Sequence, residues 1–139
     1  MDEPLTEHLL EELLSSNDPA TFADAHATSK RSLSDYLNQL LDEKGARRAD
    51  VINKAGMNST YGYQIFVGQR NPSRNKVLQI AFALSCSLRE TNRLLKASDH
   101  SPLYPKDRRD AIIIFCIDRG RTLMQVNAEL YRFGEDIIE

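Results

Sequence analysis

The sequence predicts an all-α fold, and three observations carry that expectation. Apolar residues recur at helical spacing through most of the 139 residues. Ser, Asn, Asp or Pro precedes these stretches and Gly closes several of them, as helix starts and stops require. β-Branched residues cluster only at Ile112-Ile113-Ile114; a short strand is the alternative there, and the helical neighbours and segment length favour a helix.

Taken in order, Leu5, Leu9, Leu10, Leu13 and Leu14 make a narrow leucine stripe on an amphipathic helix that residues 15–19 stop. An alanine-rich stretch at residues 21–29 predicts a weaker helix. Ser32 or Ser34 then caps a helix carrying Leu33, Tyr36, Leu37, Leu40 and Leu41 on one face and ending at Gly45. Residues 47–55 form a short helix closed by Gly56. Asn58 or Ser59 caps the next, which runs to Val67 and Gly68. Pro72-Ser73 opens a helix through Val77, Leu78, Ile80, Ala81 and Leu84, and residues 87–97 give another with Leu88, Leu94 and Leu95 inward. After a turn at residues 99–105, an apolar helix spans 107–118, and a last one spans 123–133 before Gly134. Leu88-x-x-x-Asn92-x-x-Leu95 is echoed by Leu123-x-x-x-Asn127-x-x-Leu130, which reads as two similar helical hairpins stacked together.

Hydrophobic residues at 41% and charged residues at 27% are ordinary for a soluble globular chain. The longest apolar run, residues 111–117, is far too short for a bilayer. The acidic start Met1-Asp2-Glu3-Pro4 resembles neither a signal nor a transit peptide, so a cytoplasmic location is expected. Cys86 and Cys116 sit in apolar helical patterns without a CxxC partner and read as buried free thiols. His8, His26 and His100 are scattered, so no metal site is expected. No phosphate loop, paired carboxylates or nucleophile with a base stands out, hence no catalytic residue, no cofactor and no enzyme. The cluster Asp107-Arg108-Arg109-Asp110 reads as a solvated helix start.

Charge is unevenly spread. Residues 1–43 carry ten acidic residues against Lys30 and Arg31, whereas residues 44–76 carry seven basic ones against Asp50 alone. The net charge of -2 therefore hides a basic centre, and a local patch is what a phosphate backbone responds to. Three regions are expected: an acidic helical arm at 1–31, a central domain at 32–98 and a helical extension at 99–139.

Val51, Ala55, Gly56, Met57 and Ile65 supply the glycine and apolar positions that two short helices joined by a tight turn require. The stretch from Arg47-Arg48-Ala49-Asp50-Val51 through Ala55-Gly56-Met57-Asn58, with Tyr63-Gln64-Ile65-Phe66-Val67-Gly68-Gln69-Arg70-Asn71-Pro72-Ser73, resembles the phage-repressor-like (Cro/C1, or XRE) helix-turn-helix family. The resemblance covers about residues 33–97. It implies a lambda-repressor-like five-helix core in a bacterial transcriptional regulator, with residues 59–67 as a recognition helix in the major groove of double-stranded DNA, usually in a dimer. Carried over by position, it assigns base reading to Asn58, Ser59, Thr60, Tyr63 and Gln64 and phosphate contacts to Arg47, Arg48, Arg70 and Arg74.

Two positions depart from the family pattern. Ile52 stands where a small alanine is usual, and Gly62 where a branched apolar residue is usual. The larger residue on one helix is expected to fill the space vacated on the other. Tyr61, Tyr63 and Phe66 crowd the same helix, and exposed aromatics suit a protein contact as well as a base edge. The alternative function is thus a protein-interaction adaptor, gripping its partner through those aromatics or through the leucine-rich N-terminal helix.

Overall fold

The computed structural model describes residues 32–139. The leucine stripe at 5–14, the stretch at 21–29 and the arm assigned to residues 1–31 lie outside the described residues. Among the described residues there are seven helices and no strand: α1 (Leu33–Lys44), α2 (Arg48–Lys54), α3 (Ser59–Phe66), α4 (Arg74–Ala83), α5 (Leu88–Ala97), α6 (Arg108–Asp118) and α7 (Leu123–Arg132). None of them is long and apolar enough to cross a membrane. Ile112-Ile113-Ile114 lies inside α6, so the helical alternative holds there.

Side-chain caps set six of the seven starts. Ser32, Asn58, Ser73, Ser87, Asp107 and Thr122 each accept the backbone N–H of the residue three positions on. Only α2 begins without one, with Arg47 at its N-cap. The caps at Ser87 and Thr122 are reciprocal boxes, closed by Glu90 and Gln125.

Helix α1 packs on α3 and α5, and α2 packs on α3 and α4. The hairpins α4–α5 and α6–α7 then pair, α4 against α7 and α5 against α6. One core runs through all of them, with Leu37, Leu40, Phe66, Leu78, Leu95, Ile113 and Leu130 fully buried. Residues 99–139 thus share their core with residues 32–98, and Ser32–Glu139 form one unit.

The two hairpins repeat one plan, each position of the second lying 35 residues after its counterpart. A left-handed residue turns each hairpin, Ser85 (φ 53°) and Gly120 (φ 65°), and another follows each second helix, Asp99 (φ 62°) and Gly134 (φ 73°). An asparagine on each second helix holds a strap 11 residues further on. Asn92 Oδ1 accepts from Leu103 N–H at 2.9 Å, and Asn127 Oδ1 accepts from Ile138 N–H at 2.7 Å. Both strap residues, Leu103 and Ile138, are buried.

An arginine at the start of each first helix completes the plan. Arg74 donates to the carbonyls of Ser101 and Pro102, and Arg109 donates to those of Asp136 and Ile137. Each also crosses to the other hairpin at matching positions. Arg74 forms a two-pronged ion pair with Asp110, at 3.0 and 2.9 Å, while Arg109 donates to Asn75 Oδ1 at 3.0 Å. Such reciprocity is the pattern of a two-fold pairing, here between two halves of one chain. Of Asp107-Arg108-Arg109-Asp110, the first two are exposed as a solvated helix start predicts, whereas Arg109 and Asp110 are tied to other parts of the fold. Asp110 is only 6% exposed, and its carboxylate accepts two bonds from Arg74 and one from the Tyr104 N–H, while its own backbone N–H donates to the Asp107 cap.

Candidate functional site

Of the seven basic residues at 44–76, Arg47, Arg48 and Lys54 stand on or at the start of α2 and Arg70 follows α3, whereas Lys44 pairs with Glu90 and Arg74 and Lys76 belong to α4. A tight turn joins α2 and α3, with Gly56 at φ +72° and the Met57 N–H bonded to the Ile52 carbonyl at 3.3 Å. The left-handed φ at position 56 is one that side-chain-bearing residues rarely adopt, which accounts for the glycine.

Position 62 is glycine for a different reason. A Cβ built there would lie 2.5 Å from Ile52 Cγ2 and 2.8 Å from Cγ1, closer than carbon atoms pack. Ile52 is 5% exposed and occupies the space a side chain at 62 would need. The filling expected between positions 52 and 62 is thus present: Ile52 takes up the room that a side chain at 62 would need. A helical glycine costs roughly 1 kcal/mol relative to alanine, and here it permits the close approach of two helices.

Helix α3 divides cleanly around its axis. Gly62, Ile65 and Phe66 face the core, whereas Ser59, Thr60 and Tyr63 are exposed, Tyr63 by 45%. Both ends of the helix are fixed. At the start, Asn58 Oδ1 accepts the Tyr61 N–H at 3.1 Å. At the end, the Phe66 carbonyl receives the Ser34 hydroxyl at 2.7 Å and the Asn38 amide at 3.0 Å, both from α1.

Two arginines lie over the tyrosines of this surface. The Arg48 guanidinium sits 4.6 Å from the Tyr63 ring centroid, and that of Arg70 sits 5.7 Å from the Tyr61 ring. Arg70 Nε also donates to Gln64 Oε1 at 2.8 Å. Asn58, Ser59, Thr60, Tyr63, Gln64, Arg48 and Arg70 are therefore gathered on or beside one helix, with Arg47 exposed at the start of α2.

Two residues stand elsewhere than their sequence suggests. Arg74 is committed to Asp110 and two backbone carbonyls, with its side chain 24% exposed, so its role is to join the hairpins. Phe66 is fully buried and cannot serve as an exposed aromatic contact, because it follows Ile65 and lies one turn after Gly62 on the core side. Only Asn58 spends part of its side chain on the helix itself, leaving its amide nitrogen without a bond in the cap.

Burial pushes the Cys86 thiol up to about 12, with the Glu90 charge adding and Lys44 opposing. Burial likewise raises Cys116, so both buried thiols stay protonated at neutral pH. Among the described residues, no group of three His, Cys, Asp or Glu side chains is placed to hold a metal ion.

No protein-family model, curated protein or solved structure matches this chain.

Proposed function

We propose that this chain is a sequence-specific DNA-binding transcriptional regulator of the phage-repressor-like helix-turn-helix family, acting in the bacterial cytoplasm. The observation that carries the reading is the outer face of α3, where Ser59, Thr60 and Tyr63 are exposed on a capped helix flanked by Arg48 and Arg70. A helix of this width enters a major groove, and hydroxyl and amide groups can pair with base edges there. Ser59, Thr60, Tyr63 and Gln64 then read bases, with the Asn58 amide beside them. Arg47, Arg48 and Arg70 hold phosphates on either side and fix the register. Arg48 and Arg70 lie over tyrosine rings in the free chain, so binding moves them a short way outward to the backbone. Arg74 takes no phosphate in this scheme, since its fork is spent on Asp110.

Selection of bound sequences from a random DNA pool tests the reading. An enriched site is expected, with affinity falling steeply as salt rises. Removing Arg47, Arg48 or Arg70 should lower the salt slope by about one each. Failure to enrich any sequence at low salt defeats the reading. A second reading, a protein-interaction adaptor on the same fold, is favoured by the 45% exposure of Tyr63. In that case Tyr63→Ala releases a co-purifying protein while DNA plays no part.

A further inference from the structure

Among the described residues, the second hairpin leaves bare the face that its counterpart buries. Val77, Ile80, Leu94 and Ser98 of the first hairpin are buried, with α2 packed on α4 and α1 on α5. Their equivalents are Ile112, Phe115, Glu129 and Phe133, of which Phe115 is 48% and Phe133 41% exposed. Phe115 stands as a ridge between two open grooves of about 570 and 640 Å³, and Ala111, one turn earlier, borders both. Exposed aromatics beside unfilled apolar grooves are uncommon on a chain that works alone.

We propose that this ridge is the contact between two copies of the chain, with α6 crossing the α6 of a second copy antiparallel about an axis at the level of Ile113. A two-fold contact requires a face complementary to itself. The outward ridge of α6 meets that condition three times over. Ala111 and Phe115 lie two residues to either side of Ile113, so each projecting ring meets the small side chain of the other copy. Arg108 and Asp118 lie five residues to either side and face each other in both directions. Asp107 and Arg119 lie six to either side and do the same.

A ridge carrying both signs at matched distances from its centre suits its own copy better than a uniformly acidic or basic partner. In the single chain Arg119 lies 4.3 Å over the Phe115 ring and 3.3 Å from Asp118, while Arg108 reaches Glu135 at 3.3 Å. These are surface contacts of small worth, so exchanging them across the axis is inexpensive. The pairing is independent of whether α3 reads DNA.

Sedimentation equilibrium on the full chain tests the pairing. The wild type should be a dimer. Phe115→Glu and Asp118→Arg should each weaken it at least about tenfold. Arg108→Asp combined with Asp118→Arg should restore affinity to within about threefold of the wild type. Circular dichroism should show all variants folded, since every substituted side chain is at the surface. A wild type still monomeric at about 100 μM overturns the proposal. So does a dimer that Phe115→Glu leaves unchanged, or a paired reversal that fails to restore association.

Discussion

Hairpin α4–α5 buries Val77, Ile80 and Leu94 while α1 and α2 pack against it, whereas hairpin α6–α7 leaves Ile112 and Glu129 half-buried and Phe115 in solvent. Between the hairpins the chemistry is instead alike. Leu78 and Ile113, Ala81 and Cys116, Thr91 and Val126, and Leu95 and Leu130 are buried at matching positions. The difference teaches which constraint governs each surface. Where the halves meet, side chains of similar size keep the pairing intact; where they face outward, each half took the residues its own surroundings required.

The largest expected effect separates Ile80 from Phe115. Ile80→Glu should unfold the domain, at a cost above about 4 kcal/mol, because it forces a charge into a site only 1% exposed. Phe115→Glu, followed by urea unfolding at low protein concentration, should change stability by less than about 0.5 kcal/mol. Comparable losses for the two would erase the contrast between covered and bare faces.

The two clamping arginines come next. Arg74→Ala strands the Asp110 carboxylate, 6% exposed, and should cost about 3 kcal/mol. Arg109→Ala leaves only a neutral amide and two carbonyls without their donor, which should cost about 1 kcal/mol. Equal losses in denaturant titrations would mean that the ion pair adds nothing over a neutral bond.

A smaller effect distinguishes the hairpin turns. Ser85 adopts φ 53° where Gly120 adopts 65°, and a side chain there is strained. Gly120→Ser should destabilise by about 1 kcal/mol and Ser85→Gly should gain about 0.5 kcal/mol, read from thermal melts. A loss on Ser85→Gly would show that the serine makes a compensating contact.

The least of these effects depends on pH. Burial works against the Glu90 charge, but the Ser87 N–H and Lys44, 3.1 Å away, outweigh it and lower its pKa. A lowered folded pKa stabilises above the unfolded carboxylate range and is lost as pH falls through the folded value. Wild type should therefore exceed Glu90→Gln in melting temperature at neutral pH, with the gap closing by about pH 3. Gln125 fills the same position of the other capping box without a charge, so Gln125→Ala should cost the same at every pH.

Much of the fold was legible because helix starts and faces are local properties. Ser87 and Asn58 announce their caps within three residues, and Leu37, Leu40 and Leu41 reveal a buried face by spacing alone. The fit of Ile52 against Gly62 is as expected, a large side chain on one helix lying over a position with none on the next. Arg74 looks like a surface cation in the sequence because its partner lies 36 residues away, and no local pattern links the two. The burial of Asp110 is hidden in the sequence for the same reason. Phe66 is legible as inward, since its spacing from Gly62 and its place beside Ile65 put it on the core side. The reciprocity of the hairpins needed three dimensions, although Asn92 and Asn127 already signalled the repeat.

The fit between Ile52 and Gly62 also limits how this molecule can change. Shrinking Ile52 first opens a cavity worth about 2–5 kcal/mol, and enlarging residue 62 first drives atoms together at the spacing seen here. Neither single step is easy, so the two sites have to change together. Anyone grafting α3 onto another scaffold must carry Ile52 along, or the transplanted helix will sit at a different depth and present Tyr63 to the wrong place.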